Sequence, residues 1–150
     1  PNRPQGNLLL PDCGIVSKFT EYICYASHMV TFGEDGETVY RIINTDRHKS
    51  VGLFRLIGEE IGKYGAGDYR LTFYARAGED TGIRAAVDYS ERVCREACIP
   101  LTQEWRRCEL PFTVAPEDVT EPKIAVIIGG NGETVTPEFD LKRIALEKQG

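Results

Sequence analysis

Along most of the chain, apolar and polar residues alternate with a period of two, the spacing of strands rather than helices. Gly67 to Ala77 shows it best. Tyr69, Leu71, Phe73 and Ala75 share one face, and Arg70, Thr72, Tyr74 and Arg76 share the other. Next, Ile83, Ala85, Val87 and Tyr89 alternate with Arg84, Ala86 and Asp88. The turn Gly78-Glu79-Asp80-Thr81 between the two runs predicts a hairpin. From Trp105 to Val114, Cys108, Leu110, Phe112 and Val114 share a face with which Trp105 is out of phase, which predicts a bulge near Arg106 and Arg107. Pro111 places that strand at an edge or a bulge. Lys123 to Gly129 is apolar on both faces and predicts a central strand, and Phe139 to Glu147 predicts the closing one.

Shorter runs predict strands at Asn7–Leu10, Thr38–Ile43 and Val51–Ile57, the second after the turn Glu34-Asp35-Gly36-Glu37. Ile15 to Phe32, bounded by Gly14 and Gly33, is the least legible, since helix and strand periods both fit it in part. About eight strands with short turns and no strong amphipathic helix predict an all-β fold, a two-sheet antiparallel β-sandwich of jelly-roll type. The expected core is Tyr69, Leu71, Phe73, Val87, Trp105, Phe112, Ile124, Val126 and Ile128. Residues 1–6 are polar and proline-containing and read as the end of an inter-domain linker, with the sandwich over 7–150.

At 150 residues the chain is long enough for one domain with its own core. Its 41% hydrophobic and 27% charged residues exclude disorder. A net charge of −5 argues against nucleic acid or an anionic membrane as partner, and no apolar run reaches membrane-helix length. The five cysteines are Cys13, Cys24, Cys94, Cys98 and Cys108. Their spacing does not suit zinc, and His28 and His48 each stand alone, so no metal site is expected. Cys24 and Cys108 read as small core hydrophobes; Cys94 and Cys98 form a loop disulfide if the compartment is oxidising, and the alternative is that all five stay reduced.

Catalytic patterns are missing. There is no G-x-S-x-G, H-E-x-x-H or P-loop, and no helix pattern follows Gly129-Gly130-Asn131-Gly132 to make them a phosphate cradle. The pairs Glu59-Glu60, Glu79-Asp80 and Glu117-Asp118 fall in predicted turns, where solvated charge is the default. The chain reads as a non-enzyme.

Several segments, in order, resemble the galactose-binding-like jelly rolls among carbohydrate-binding modules, the group of families 4, 9, 16 and 22. Asn7-Leu8-Leu9 looks like their opening strand, and Gly67 to Arg76 like their G-x-Y-x-L-S-F-x-A-R strand. Thr102-Gln103-Glu104-Trp105 with Phe112-Thr113-Val114 looks like their T-x-x-W … F-T-V strand, and Phe139 to Leu146 like their closing strand. The resemblance implies a secreted, monomeric, non-catalytic module that binds a β-linked plant polysaccharide such as xylan or β-glucan. It also implies a covalently attached glycoside hydrolase. The alternative is a non-binding sandwich, a spacer or protein-interaction module of a larger extracellular enzyme. A small hydrolase on this scaffold is a third reading.

By the same resemblance Trp105 belongs to the core, which leaves no exposed tryptophan platform. Lys142-Arg143 stand where the group carries acids, one of them a ligand of structural calcium. No cofactor is therefore required, although Asp140 or Glu138 supplies a calcium ligand if the register differs. The expected ligand-binding residues are Tyr74, Arg76, Arg84 and Tyr89, with Arg47 and Glu138 added from their family positions. Tyr74 lies opposite its core face between Arg70 and Arg76, with Arg84 expected beside it on the paired strand. Tyr74 and Tyr89 have opposite phases relative to their core faces, so one of the two is expected to meet the ligand.

Overall fold

The computed structural model describes residues 8–9, 27–33, 36–44, 52–89, 92–120, 124–130 and 138–149. Nine strands and one α-helix occur among them. They are β1 (Ser27–Phe32), β2 (Thr38–Ile43), β3 (Gly52–Leu56), α1 (Gly58–Tyr64), β4 (Gly67–Arg76), β5 (Thr81–Asp88), β6 (Val93–Leu101), β7 (Arg106–Val114), β8 (Ala125–Gly130) and β9 (Glu138–Lys148). One sheet has the order β1-β2-β9-β4-β7, the other β3-β8-β5-β6. Every pairing described is antiparallel. This is the expected antiparallel sandwich, with the jelly-roll character of two sheets closing on one core.

The core follows from the alternation. Tyr69, Leu71, Phe73 and Ala75 of β4 are fully buried and meet Ile83, Ala85 and Val87 of β5 in one cluster. Tyr69 stacks on Phe112, ring centroids 5.6 Å apart. Eight of the nine expected core residues lie in this cluster; Trp105 does not. β8 is central, as its two-sided apolar run requires, and β7 with Pro111 is an edge.

Several expectations need correction. β4 and β5 are not a hairpin. β4 pairs with β7 and β9, β5 with β6 and β8, and the turn between them crosses from one sheet to the other. Alternation and a short turn fix two strands but not whether they are hydrogen-bonded to each other. No bulge interrupts Arg106 and Arg107, where the register with β4 is continuous. Leu8 and Leu9 form a turn, not a strand, with the Leu8 N–H donating to the Leu146 carbonyl at 2.7 Å. Cys94 and Cys98 are free thiols on β6. Four residues of strand span roughly 13 Å, well beyond the roughly 7 Å between Cα atoms that a disulfide tolerates. Cys108 is buried as expected, while Cys13, Cys24 and the linker 1–6 lie outside the described residues.

The single described α-helix was not expected. It has seven residues, two of them glycines, and its one apolar signal is Ile57 and Ile61, both fully buried and four residues apart. Gly65, at φ 85°, ends it. The carbonyl of Gly65 then accepts the Tyr69 hydroxyl at 2.6 Å.

Burial pushes the Tyr69 phenol up to about 12. Its ordinary value is near 10, so the folded state holds the proton more tightly than the unfolded chain does. That contribution is complete below about pH 10 and is lost as pH rises toward about 12. Urea midpoints measured across this window should fall steeply, and Tyr69→Phe should flatten the fall. An equally steep decline in the variant would place the alkaline sensitivity elsewhere.

Candidate functional site

The outward face of the five-stranded sheet collects the polar chemistry. β9 lies between β2 and β4, and its register fixes what meets there. Asp140 is opposite Arg41 on one side and Arg76 on the other. In antiparallel strands, directly opposed residues share a face. The Asp140 carboxylate is buried and accepts from Arg41 Nε at 2.7 Å, Arg41 Nη2 at 3.1 Å and Arg76 Nε at 3.0 Å. The Arg41 pKa is raised, first by this hydrogen bond and then by the charge of Asp140. One carboxylate thus aligns two guanidinium groups.

One step along β9 the strand bulges. Ala145 pairs with Thr72 and Lys142 with Tyr74, so β9 carries one residue more than β4 over this interval. Arg143 takes φ 53°, the left-handed region that side chains rarely adopt. The extra residue brings both Lys142 and Arg143 to the Tyr74 ring, 6.0 and 5.3 Å from its centroid. Glu37, just before β2, pairs with Lys142 at 2.9 Å and with Arg143.

Trp105 completes the group. It precedes β7 and is half-buried, with the Arg76 guanidinium 4.3 Å and the Lys142 ammonium 4.4 Å from its ring. It belongs to this outward face, not to the core as expected. Its phase was the signal: Trp105 simply continues the outward set of Arg107 and Glu109. Beside it, Arg41, Arg76, Gln103, Glu138 and Asp140 line a pocket of about 180 Å³ together with Ala77, Gly78 and Phe139. The Gln103 amide pins this rim by donating to the Gly78 carbonyl at 2.9 Å.

Of the expected site residues, Tyr74, Arg76 and Glu138 therefore meet on one face. Arg84 does not stand beside Tyr74; it lies on β5 in the other sheet, bonded to Glu96 at 2.7 Å and 3.6 Å from Asp88. Tyr89 is buried in the core cluster with Arg92 over its ring at 4.1 Å. Burial and a hydrogen bond with Cys94 raise its phenol pKa. Arg47 lies outside the described residues. Sequence reasoning missed Arg41, Asp140 and Lys142 as members of the face, along with Trp105. A calcium ion does not fit Asp140, whose two oxygens already accept three guanidinium N–H bonds. Among the described residues no three His, Cys, Asp or Glu side chains converge on a metal position.

No protein-family model matches the chain, and no curated protein matches its sequence. Solved structures do match in fold. The CBM22-1 xylan-binding domain from Paenibacillus barcinonensis Xyn10C superposes with a TM-score of 0.63 over 82% of this chain and 81% of that one, at 8% identity. The CBM22-1–GH10 modules of a Clostridium thermocellum xylanase, complexed with xylohexaose, match with a TM-score of 0.56 at 17% identity, covering 83% of this chain and 25% of that one. A Stig cyclase, Fisc from Fischerella sp. TAU, matches with a TM-score of 0.59 over 99% of this chain and 98% of that one, at 11% identity. The chain thus has the jelly-roll fold found in these carbohydrate-binding modules, a fold that also carries cyclases.

Proposed function

We propose that this chain is a non-catalytic carbohydrate-binding module that binds a soluble β-linked polysaccharide, such as a xylan or β-glucan, on the outward face of its five-stranded sheet. The observation that carries this reading is the placement of Tyr74 and Trp105 on one face among Arg41, Arg76, Lys142 and Glu138. Aromatic rings offer apolar faces for sugar rings, and a few fixed polar groups around them set orientation. The fold shared with xylan-binding modules supports it. In this reading the module is monomeric and secreted, needs no calcium, and holds an attached glycoside hydrolase on its substrate. Two rings suit a groove for single chains rather than a crystalline surface, which calls for a flat aromatic row.

Affinity electrophoresis against plant polysaccharides tests the reading. Tyr74→Ala and Trp105→Ala should each weaken binding by about 1–3 kcal/mol, by analogy with bases stacked on aromatic side chains. Neither ring is part of the core, so thermal melts should stay close to the parent's. Retardation by no polysaccharide would instead favour a non-binding spacer. Release of reducing sugar by the purified chain would overturn the non-catalytic part.

A further inference from the structure

The pocket beside Trp105 carries more donor capacity than neutral hydroxyls require. Arg41 and Arg76 spend three N–H groups on Asp140. A guanidinium has five N–H donors in a fixed fork, so most donors of both forks remain for a ligand. The two side chains are 35% and 36% exposed while Asp140 is 7% exposed, so the anchor is sealed and the forks are open. Both forks line the pocket. Being held by Asp140, they lose little freedom when they engage a ligand.

The charge around them points the same way. Arg41, Arg76, Lys142 and Arg143 face Asp140, Glu37 and Glu138, in a chain whose net charge is −5. Two of those carboxylates are already engaged by these cations. Glu138 stands at the pocket wall, where its carboxylate opposes an incoming anion.

Resting on the carbohydrate reading, we propose that this pocket takes an anionic substituent of a sugar ring, a carboxylate or a sulfate ester, gripped by Arg41 and Arg76. Planar forks match such oxyanions in bidentate geometry. Trp105, against Arg76, then supports the ring that carries the substituent.

Titration calorimetry of the full chain against matched polymer pairs tests this. One pair is glucuronoxylan and its carboxyl-reduced form. The other is a sulfated galactan and its desulfated form. At least one charged polymer should bind on the order of tenfold tighter than its neutral partner, since charge-assisted bonds are stronger than neutral ones. That advantage should shrink as salt rises from about 50 to about 500 mM. Arg76→Gln and Arg41→Gln should bring the charged-to-neutral ratio toward one, and Glu138→Gln should raise it. Glu138→Gln keeps the test valid if either arginine variant fails to fold. Preference in the first pair assigns a carboxylate, in the second a sulfate ester. Equal binding of charged and neutral partners overturns this inference and leaves the carbohydrate reading standing. Binding of none of the four also overturns this inference, and the carbohydrate reading falls with it only if the electrophoresis panel, β-glucans included, shows no retardation either.

Discussion

Phe73→Ala should destabilise the fold by about 3–5 kcal/mol, the cost of removing a buried aromatic ring from a packed core. Phe73 is fully buried at the middle of β4, opposite Cys108 of β7 and within the interval where β9 bulges. On either side of the bulge, Ala145–Thr72 and Lys142–Tyr74 hold β9 in register with β4. How far the surrounding core side chains relax into the vacated space sets where in that range the cost falls. In a domain of this size such a loss lowers Tm by roughly 6–20 °C. Urea unfolding followed by the fluorescence of Trp105, the only tryptophan, measures it. The slope should hold while the midpoint falls. A loss below about 1 kcal/mol would mean that Phe73 does not close the core.

Burial of this kind was legible in the sequence because it has a period. Tyr69, Leu71 and Phe73 alternate cleanly, and so do Cys108, Leu110, Phe112 and Val114. Even the β9 bulge left a trace. Phe139 and Leu141 are two apart, as are Ile144 and Leu146, but Leu141 and Ile144 are three apart, the shift that one added residue produces. Trp105 failed for a different reason. The resemblance placed it in the core, and its outward phase was read as a bulge rather than as a side chain on the other face. β6 was hidden because VCREACIPL mixes small apolar residues with Arg95 and Glu96 and shows little alternation apart from buried Ile99 and Leu101, as an exposed edge strand allows. The β4–β5 misreading shows that turn chemistry specifies a reversal, not a partner.

The site was legible only in part. Tyr74 and Arg76 are neighbours on one strand face, so local alternation reveals them. Arg41 and Asp140 are 99 residues apart in sequence, and only the pairing of β2 with β9 joins them. The excess of acidic residues over the whole chain also concealed a local concentration of arginine and lysine. Strand order, not composition, places those cations around two aromatic rings.

Asp140→Asn should have the second large effect, because one carboxylate serves two arginines. An amide oxygen in the Oδ2 place still accepts from Arg41 Nη2 and Arg76 Nε, but without a full negative charge, and the amide nitrogen then sets a donor against Arg41 Nε where Oδ1 accepts. Hydrogen bonds to charged groups contribute about 1.5–3 kcal/mol each. Both arginines are a third exposed and recover part of that in water, so the expected loss of stability is about 2–3 kcal/mol. Binding should suffer separately, since Arg41 and Arg76 no longer hold their forks in the pocket. Affinity for the preferred polysaccharide should drop on the order of tenfold or more. A double-mutant cycle separates positioning from direct contact. If Asp140 acts by aligning Arg76, Arg76→Gln should add little to Asp140→Asn in binding. Fully additive losses would mean that Asp140 acts independently of the arginine, as would occur if the carboxylate itself bonded the sugar.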